Sequence, residues 1–220
     1  MQDRMNLETL VEAVVARLDA TNGARETALA TSRGLIRQCA NAIRATHRHQ
    51  WSDAQQLLTE ADRIAAELRA RLADEPALLN AGYSQDALKE YAEARLTYAM
   101  VRGEALPAAD DINVEPAAYL NGLAEAASEL RRYILDGLRK GDVATGERLL
   151  TMMDDVYSLL VTVDYPDAVT GGLRRTTDAL RAVLERTRGD LTAAIRQDQL
   201  MAALLQVETR LAQDNDGTLH

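Results

Sequence analysis

The 220-residue chain is 47% hydrophobic and 27% charged, the balance of a globular protein rather than a disordered one, and it is long enough for one domain with its own core. Its net charge of −9 argues, over the chain as a whole, against a nucleic-acid partner. A single cysteine, Cys39, excludes a disulfide framework and a Cys-based zinc site, and three histidines, His47, His49 and His220, argue against a His-rich metal centre.

Only 4% of residues are aromatic and none is Phe, so Leu, Ala, Val and Ile must build the core. No strict apolar/polar alternation is present, and the four prolines, Pro76, Pro107, Pro116 and Pro166, read as punctuation between helices. The pattern predicts an all-α fold. A first helix is predicted over about Leu7 to Asp19 and a second over about Arg25 to His49. A third follows a Ser52 cap and carries Leu57, Leu58, Ile64, Ala65, Leu68 and Leu72. The fourth covers about Gln85 to Glu104. Asp110 to Glu115 reads as a loop. Pro116, a good first-turn residue, opens a fifth helix to about Lys140, and a sixth spans about Thr145 to Val163. The last region, about Leu173 to Gln213, reads as one long helix or two. The expectation is a single-domain antiparallel bundle of about seven helices over residues 1–213, with a disordered tail over 214–220. No apolar run reaches the roughly 20 residues that cross a bilayer. Met1 to Glu8 is too polar for a signal peptide, so a cytoplasmic protein with no membrane partner is expected.

Three features stand out against this background. From Thr27 to Ser52 the chain has no acid. Within it Arg33, Arg37, Asn41, Arg44, His47 and Arg48 share roughly one third of a helix circumference. A one-sign stripe of this kind reads either as a solvated face or as a phosphate-binding face, since each Arg offers a bidentate fork to phosphate oxygens. Second, Glu90 and Glu93 share a face of a helix that is otherwise apolar nearly all round. Carboxylates on a buried helix must be paired or metal-bound, so they read as a salt bridge, to Arg95 or an arginine of another helix, or as metal ligands. Third, Glu125 and Glu129 lie four apart on the fifth helix, opposite its apolar stripe. By itself this pair reads as a solvated face with Arg132 available as partner, whereas two such pairs converging from two helices would make an all-oxygen site suited to Mg2+ or Mn2+ and not to zinc.

In this order these features resemble the translin/TRAX (translin-associated factor X) family. The most telling stretch is Pro116-Ala-Ala-Tyr119-Leu120-Asn-Gly122-Leu123-Ala-Glu125-Ala-Ala-Ser128-Glu129-Leu130. Gly141-Asp142 through Val156-Tyr157, and Leu173-Arg174-Arg175 through Asp178 and Leu180, look like two further family segments. The likeness spans about Ala30 to Thr192. It implies a translin-like bundle. TRAX-like members carry the Glu-x-x-Glu pair that Glu90 and Glu93 match, and they are Mg2+-dependent endoribonucleases. Glu125 stands where the family has its catalytic Asp, and Glu129 matches the glutamate that follows. By this resemblance Glu90, Glu93, Glu125 and Glu129 are expected to hold Mg2+ or Mn2+. The basic stripe, Arg33, Arg37, Arg44, His47 and Arg48, matches the RNA-contacting segment in position and polarity. RNA, or else single-stranded DNA, is the expected partner, and a homo-octamer the expected assembly. The rival expectations are a non-catalytic, translin-like RNA or single-stranded-DNA binder, and a structural helical interaction module.

Overall fold

The computed structural model describes residues 2–217 of the chain, with side chains described over 6–210. The described residues form helices joined by turns and contain no strand. Six helices are long: α1 (Gln2–His47), α2 (Trp51–Arg71), α4 (Gly82–Arg102), α6 (Pro116–Leu138), α7 (Val143–Leu160) and α9 (Leu173–Gly217). Three are single turns: α3 (Pro76–Leu79), α5 (Ala109–Ile112) and α8 (Asp167–Thr170). Residues 218–220 of the expected tail lie outside the described residues, and 214–217 continue α9. No helix among the described residues is long and apolar enough to cross a membrane.

The boundaries differ from expectation where tertiary packing decides them. The two first helices are one continuous helix of 46 residues, about 69 Å long. The expected gap between Asp19 and Arg25 contains Gly23, yet a lone glycine costs a helix only about 1 kcal/mol, and the Thr27 hydroxyl donates back to the Gly23 carbonyl within the helix. α2 starts at Trp51, so Ser52 sits in its first turn rather than at its cap. There His49 turns the chain at φ 58°, and the Trp51 ring packs edge-on against His49 and Tyr98 under the Arg102 guanidinium. α4 stops at Arg102 because Gly103 takes the left-handed conformation at φ 69°.

The core follows from heptad-like spacing. On α1 a buried line runs through Ala28, Ser32, Leu35, Cys39, Ala42 and Thr46, at alternating steps of four and three, and Ala45 and His47 are buried beside it near the end of the helix. On α9 they are Leu173, Thr177, Leu180, Leu184, Thr187 and Leu191, at the same steps. Between them one continuous cluster joins α2, α4, α6 and α7. Its fully buried leucines, among them Leu68, Leu96 and Leu130, stabilise the fold by about 1.5–3 kcal/mol each. Alanines such as Ala61, Ala92 and Ala127 fill the remaining core positions, which lets helices approach closely.

Side-chain pairs fix the helix directions. Cys39 on α1 lies near Glu90 and Glu93, and Trp51, just past the end of α1, meets Tyr98, so α1 and α4 run the same way. Lys89 bonds Glu125, His47 bonds Glu129 and His49 bonds Tyr133, so α6 runs with them. α9 follows α6, through Thr176–Asn121 at one end and Asp190–Arg131 at the other. α2 and α7 run the opposite way, as Tyr91–Asp62 and the approach of Leu191 to Gly146 require. Residues 103–115, with α5 inside them, carry the chain back from the end of α4 to the start of α6, where the Tyr119 hydroxyl donates to the Pro107 carbonyl. The N-terminal half of α1 and the C-terminal part of α9 therefore project from opposite ends. Both keep apolar residues that this chain alone does not cover: Leu7, Val11, Val14 and Leu18 on α1, and Leu200, Met201, Leu204 and Leu205 on α9.

Candidate functional site

The site begins at the contact of α4 with α6. Gly122 makes it possible. A Cβ at this position would stand 2.7 Å from the Lys89 carbonyl oxygen and 3.1 Å from the Glu93 amide nitrogen. Only glycine lets the two backbones approach this far. One turn later on α6, Glu125 then faces Lys89, Glu90 and Glu93 on α4. Carboxylate oxygens of Glu90, Glu93 and Glu125 all lie within 4.8 Å of one another.

The three carboxylates are not equivalent. Glu93 is 8% exposed and makes no hydrogen bond or ion pair among the described residues. Burial first, then the charges of Glu90, Glu125 and Glu129, push its carboxyl up to about 8. Glu90 is raised too, by burial, against the pull of the Lys89 ammonium. Glu125 receives Lys89, whose Nζ stands 2.7 Å from Oε1 and 2.6 Å from Oε2. The same ammonium is 3.7 Å from Glu90 Oε1. Burial alone would lower Lys89, but Glu125, with Glu90 and Glu93, holds it above its usual value.

Glu129, expected with the other three, is one turn further along α6 and outside that group. His47 Nε2 donates to its Oε2 at 2.7 Å. This bond holds Glu129 below the usual carboxylate range, against its burial. His47 itself, expected on the phosphate-facing stripe, is buried, with its side chain 1% exposed. Its place on α1 turns it toward α6 instead of solvent, and its Nδ1 is buried without a hydrogen-bond partner among the described residues. Arg33, Arg37, Arg44 and Arg48 are exposed. None of them pairs with a carboxylate among the described residues; Arg44 donates to Asn41. The stripe ends beside His47, so the basic face and the carboxylates meet at the His47–Glu129 contact.

The named ion-pair partner considered from sequence for Glu90 and Glu93 is engaged elsewhere. Arg95 reaches Asp62 at 3.6 Å rather than Glu90 or Glu93, and the cation inside the cluster is Lys89. Lys89 and Gly122 are the site residues that sequence reasoning passed over. Both left a signal: one of two lysines in an arginine-rich chain placed between carboxylates, and a glycine in the middle of a helix, where it costs about 1 kcal/mol. Cys39 lies behind the cluster, and burial, with the charges of Glu90 and Glu93, pushes its thiol up, which suits an inert core residue and not a nucleophile.

No protein-family model matches the chain. The uncharacterized protein MJ0175 of Methanocaldococcus jannaschii is 30% identical over 193 residues, which cover 86% of this chain and 85% of that protein. The crystal structure of AfC3PO is similar at a TM-score of 0.78 and 31% identity, covering 85% of this chain and 97% of that one. The structure of an AfC3PO–duplex RNA complex matches at the same TM-score and 32% identity. Apo-NeC3PO, at 17% identity and a TM-score of 0.76, shares the fold. A chain that follows AfC3PO over nearly its whole length, and sets a Glu-x-x-Glu pair on α4 against the Tyr119 to Leu130 block on α6, belongs to the translin/TRAX family.

Proposed function

We propose that the protein is an RNA-binding, divalent-cation-dependent endoribonuclease. The observation that carries this reading is the convergence of Glu90, Glu93 and Glu125 across the α4–α6 contact. The residues fit a hard cation: every donor is a carboxylate oxygen, Glu93 is buried with no ion pair or hydrogen bond among the described residues, and a cationic ammonium already lies among the oxygens. Glu90, Glu93 and Glu125 would hold Mg2+ or Mn2+, which when bound lowers the pKa of water and offsets charge on the phosphate in phosphodiester hydrolysis. The chain's own groups do the rest. Arg33, Arg37, Arg44 and Arg48 bind backbone phosphates of RNA, single-stranded or paired; a duplex is what the AfC3PO complex contains. His47 fixes the rotamer of Glu129 and keeps it ionised, so that Glu129 can accept a proton beside the cluster. The uncovered apolar residues of α1 and α9 support a homo-oligomer, an octamer by the family resemblance.

The test is incubation of the purified protein with labelled single- and double-stranded RNA, in Mg2+, in Mn2+ and in EDTA. Glu90→Gln/Glu93→Gln is expected to abolish cleavage and keep RNA binding. Cleavage that survives EDTA or this double substitution would refute the proposal. A non-catalytic RNA or single-stranded-DNA binder is the second reading. It is favoured by Lys89, which satisfies Glu125 without any metal.

A further inference from the structure

Lys89 is the cation inside the carboxylate cluster, and it is held there by both oxygens of Glu125. Its ammonium also stands 3.7 Å from Glu90. We infer that Lys89 is a tethered counter-cation of this site, which occupies Glu125 in the cation-free protein and must vacate it before a divalent cation can be held. The inference rests on the metal-site reading above and adds the residue that sets the affinity.

Three observations carry it. The oxygens that the ammonium engages are the ones a divalent cation needs, and two positive charges cannot share them without strong repulsion. The side chain has a way out: it is 22% exposed, on a flexible four-carbon stem. The backbone beneath it cannot follow, because the Lys89 carbonyl lies in the closest contact with Gly122. Release is therefore a side-chain rotation and leaves the α4–α6 contact intact. The residue type suits the task. The chain has 25 basic residues, of which only Lys89 and Lys140 are lysines. An arginine at 89 would lock Glu125 with a planar bidentate fork, whereas an ammonium is a point charge that lets go.

The experiment uses Mn2+ as the probe and calorimetric titration of the full chain as the readout, with melting temperature alongside. Lys89→Met keeps the stem and removes the charge. It is expected to bind Mn2+ about tenfold or more tightly than wild type, and to melt lower than wild type in EDTA but not in Mn2+. Lys89→Arg is expected to bind Mn2+ more weakly than wild type. Equal Mn2+ affinity in wild type and Lys89→Met, or weaker binding by Lys89→Met, would overturn the inference while the metal site stands. Folded wild type and Lys89→Met that both fail to bind Mn2+ would overturn the metal-site reading itself. Lys89→Gln substitutes for the Met variant should that variant not fold, with the same expected direction.

Discussion

Glu93 allows a test in which substituting a candidate metal ligand should stabilise the protein. A carboxyl displaced from 4.5 to about 8 is one that the folded protein prefers to keep protonated. Its contribution to stability is whole below about pH 4.5, where folded and unfolded states are both protonated. It is lost as pH rises through the window up to about 8, where the unfolded chain ionises and the folded one does not. At about 1.36 kcal/mol per pH unit the full displacement is worth about 5 kcal/mol, and solvent rearrangement around the site should leave about half. For a chain of this size that corresponds to about 5–10 °C in melting temperature. Glu93→Gln keeps the shape of the side chain and cannot ionise. Differential scanning calorimetry in EDTA should find the variant equal to wild type near pH 4 and about 5–10 °C more stable near pH 9. Millimolar Mg2+ should raise wild type and leave the variant unchanged, since only wild type gains by binding. A variant less stable than wild type at high pH would refute the reasoning, because burial and the charges of Glu90, Glu125 and Glu129 outweigh the attraction of Lys89 for an ionised Glu93. So would an equal response of both proteins to Mg2+.

Three further outcomes are expected. Arg37→Glu/Arg44→Glu should weaken RNA binding for every sequence and flatten the salt dependence by about one unit of slope per lost phosphate contact. Folding should be intact, since both side chains are exposed; an unchanged salt slope would make the stripe a solvated face. Gly122→Ala should force α4 from α6, costing about 1–3 kcal/mol in chemical denaturation and weakening Mn2+ binding; a variant as stable as wild type would contradict the close approach at Lys89. Multi-angle light scattering should give a mass above a dimer at micromolar concentration, and Leu204→Glu/Leu205→Glu should reduce it. A wild-type monomer would remove the oligomer from the proposal.

Much of the fold was legible because its signals are local and periodic. The absence of apolar/polar alternation, Pro116 at the start of α6 and the acid-free stretch from Thr27 to Ser52 are all signals within one segment. What sequence reading missed depends on neighbours. The gap read between Asp19 and Arg25 closes because a lone glycine, Gly23, costs little against the helix on either side. Ser52 looks like a cap until Trp51 is seen against Tyr98 and Arg102. Three of the four glutamates meet in one cluster, but the spacing on α6 could not say that Glu129 would turn to a buried histidine on α1. His47 falls on the arginine face by helical angle, yet a ring at the end of that face can reach α6. The parallel course of α4 and α6 is invisible in sequence, since it is made by the returning segment 103–115 and by the contact at Gly122.

The seam along α1 has a consequence for exchange kinetics. From Ala28 to Thr46 its backbone amides lie over a buried face, so their deuterium uptake should require opening of the whole bundle and track global stability. From residue 6 to about 25 the same helix continues with apolar side chains, Leu7, Val11, Val14 and Leu18 among them, that the described residues leave exposed. A helix of that length unsupported by packing is marginal in water, so these amides should exchange orders of magnitude faster in an isolated chain. One covalent helix would then show two protection tiers with a step between them near Ala28. Dilution below the assembly concentration should deepen that step, and any condition that brings another surface onto Leu7, Val11, Val14 and Leu18 should erase it.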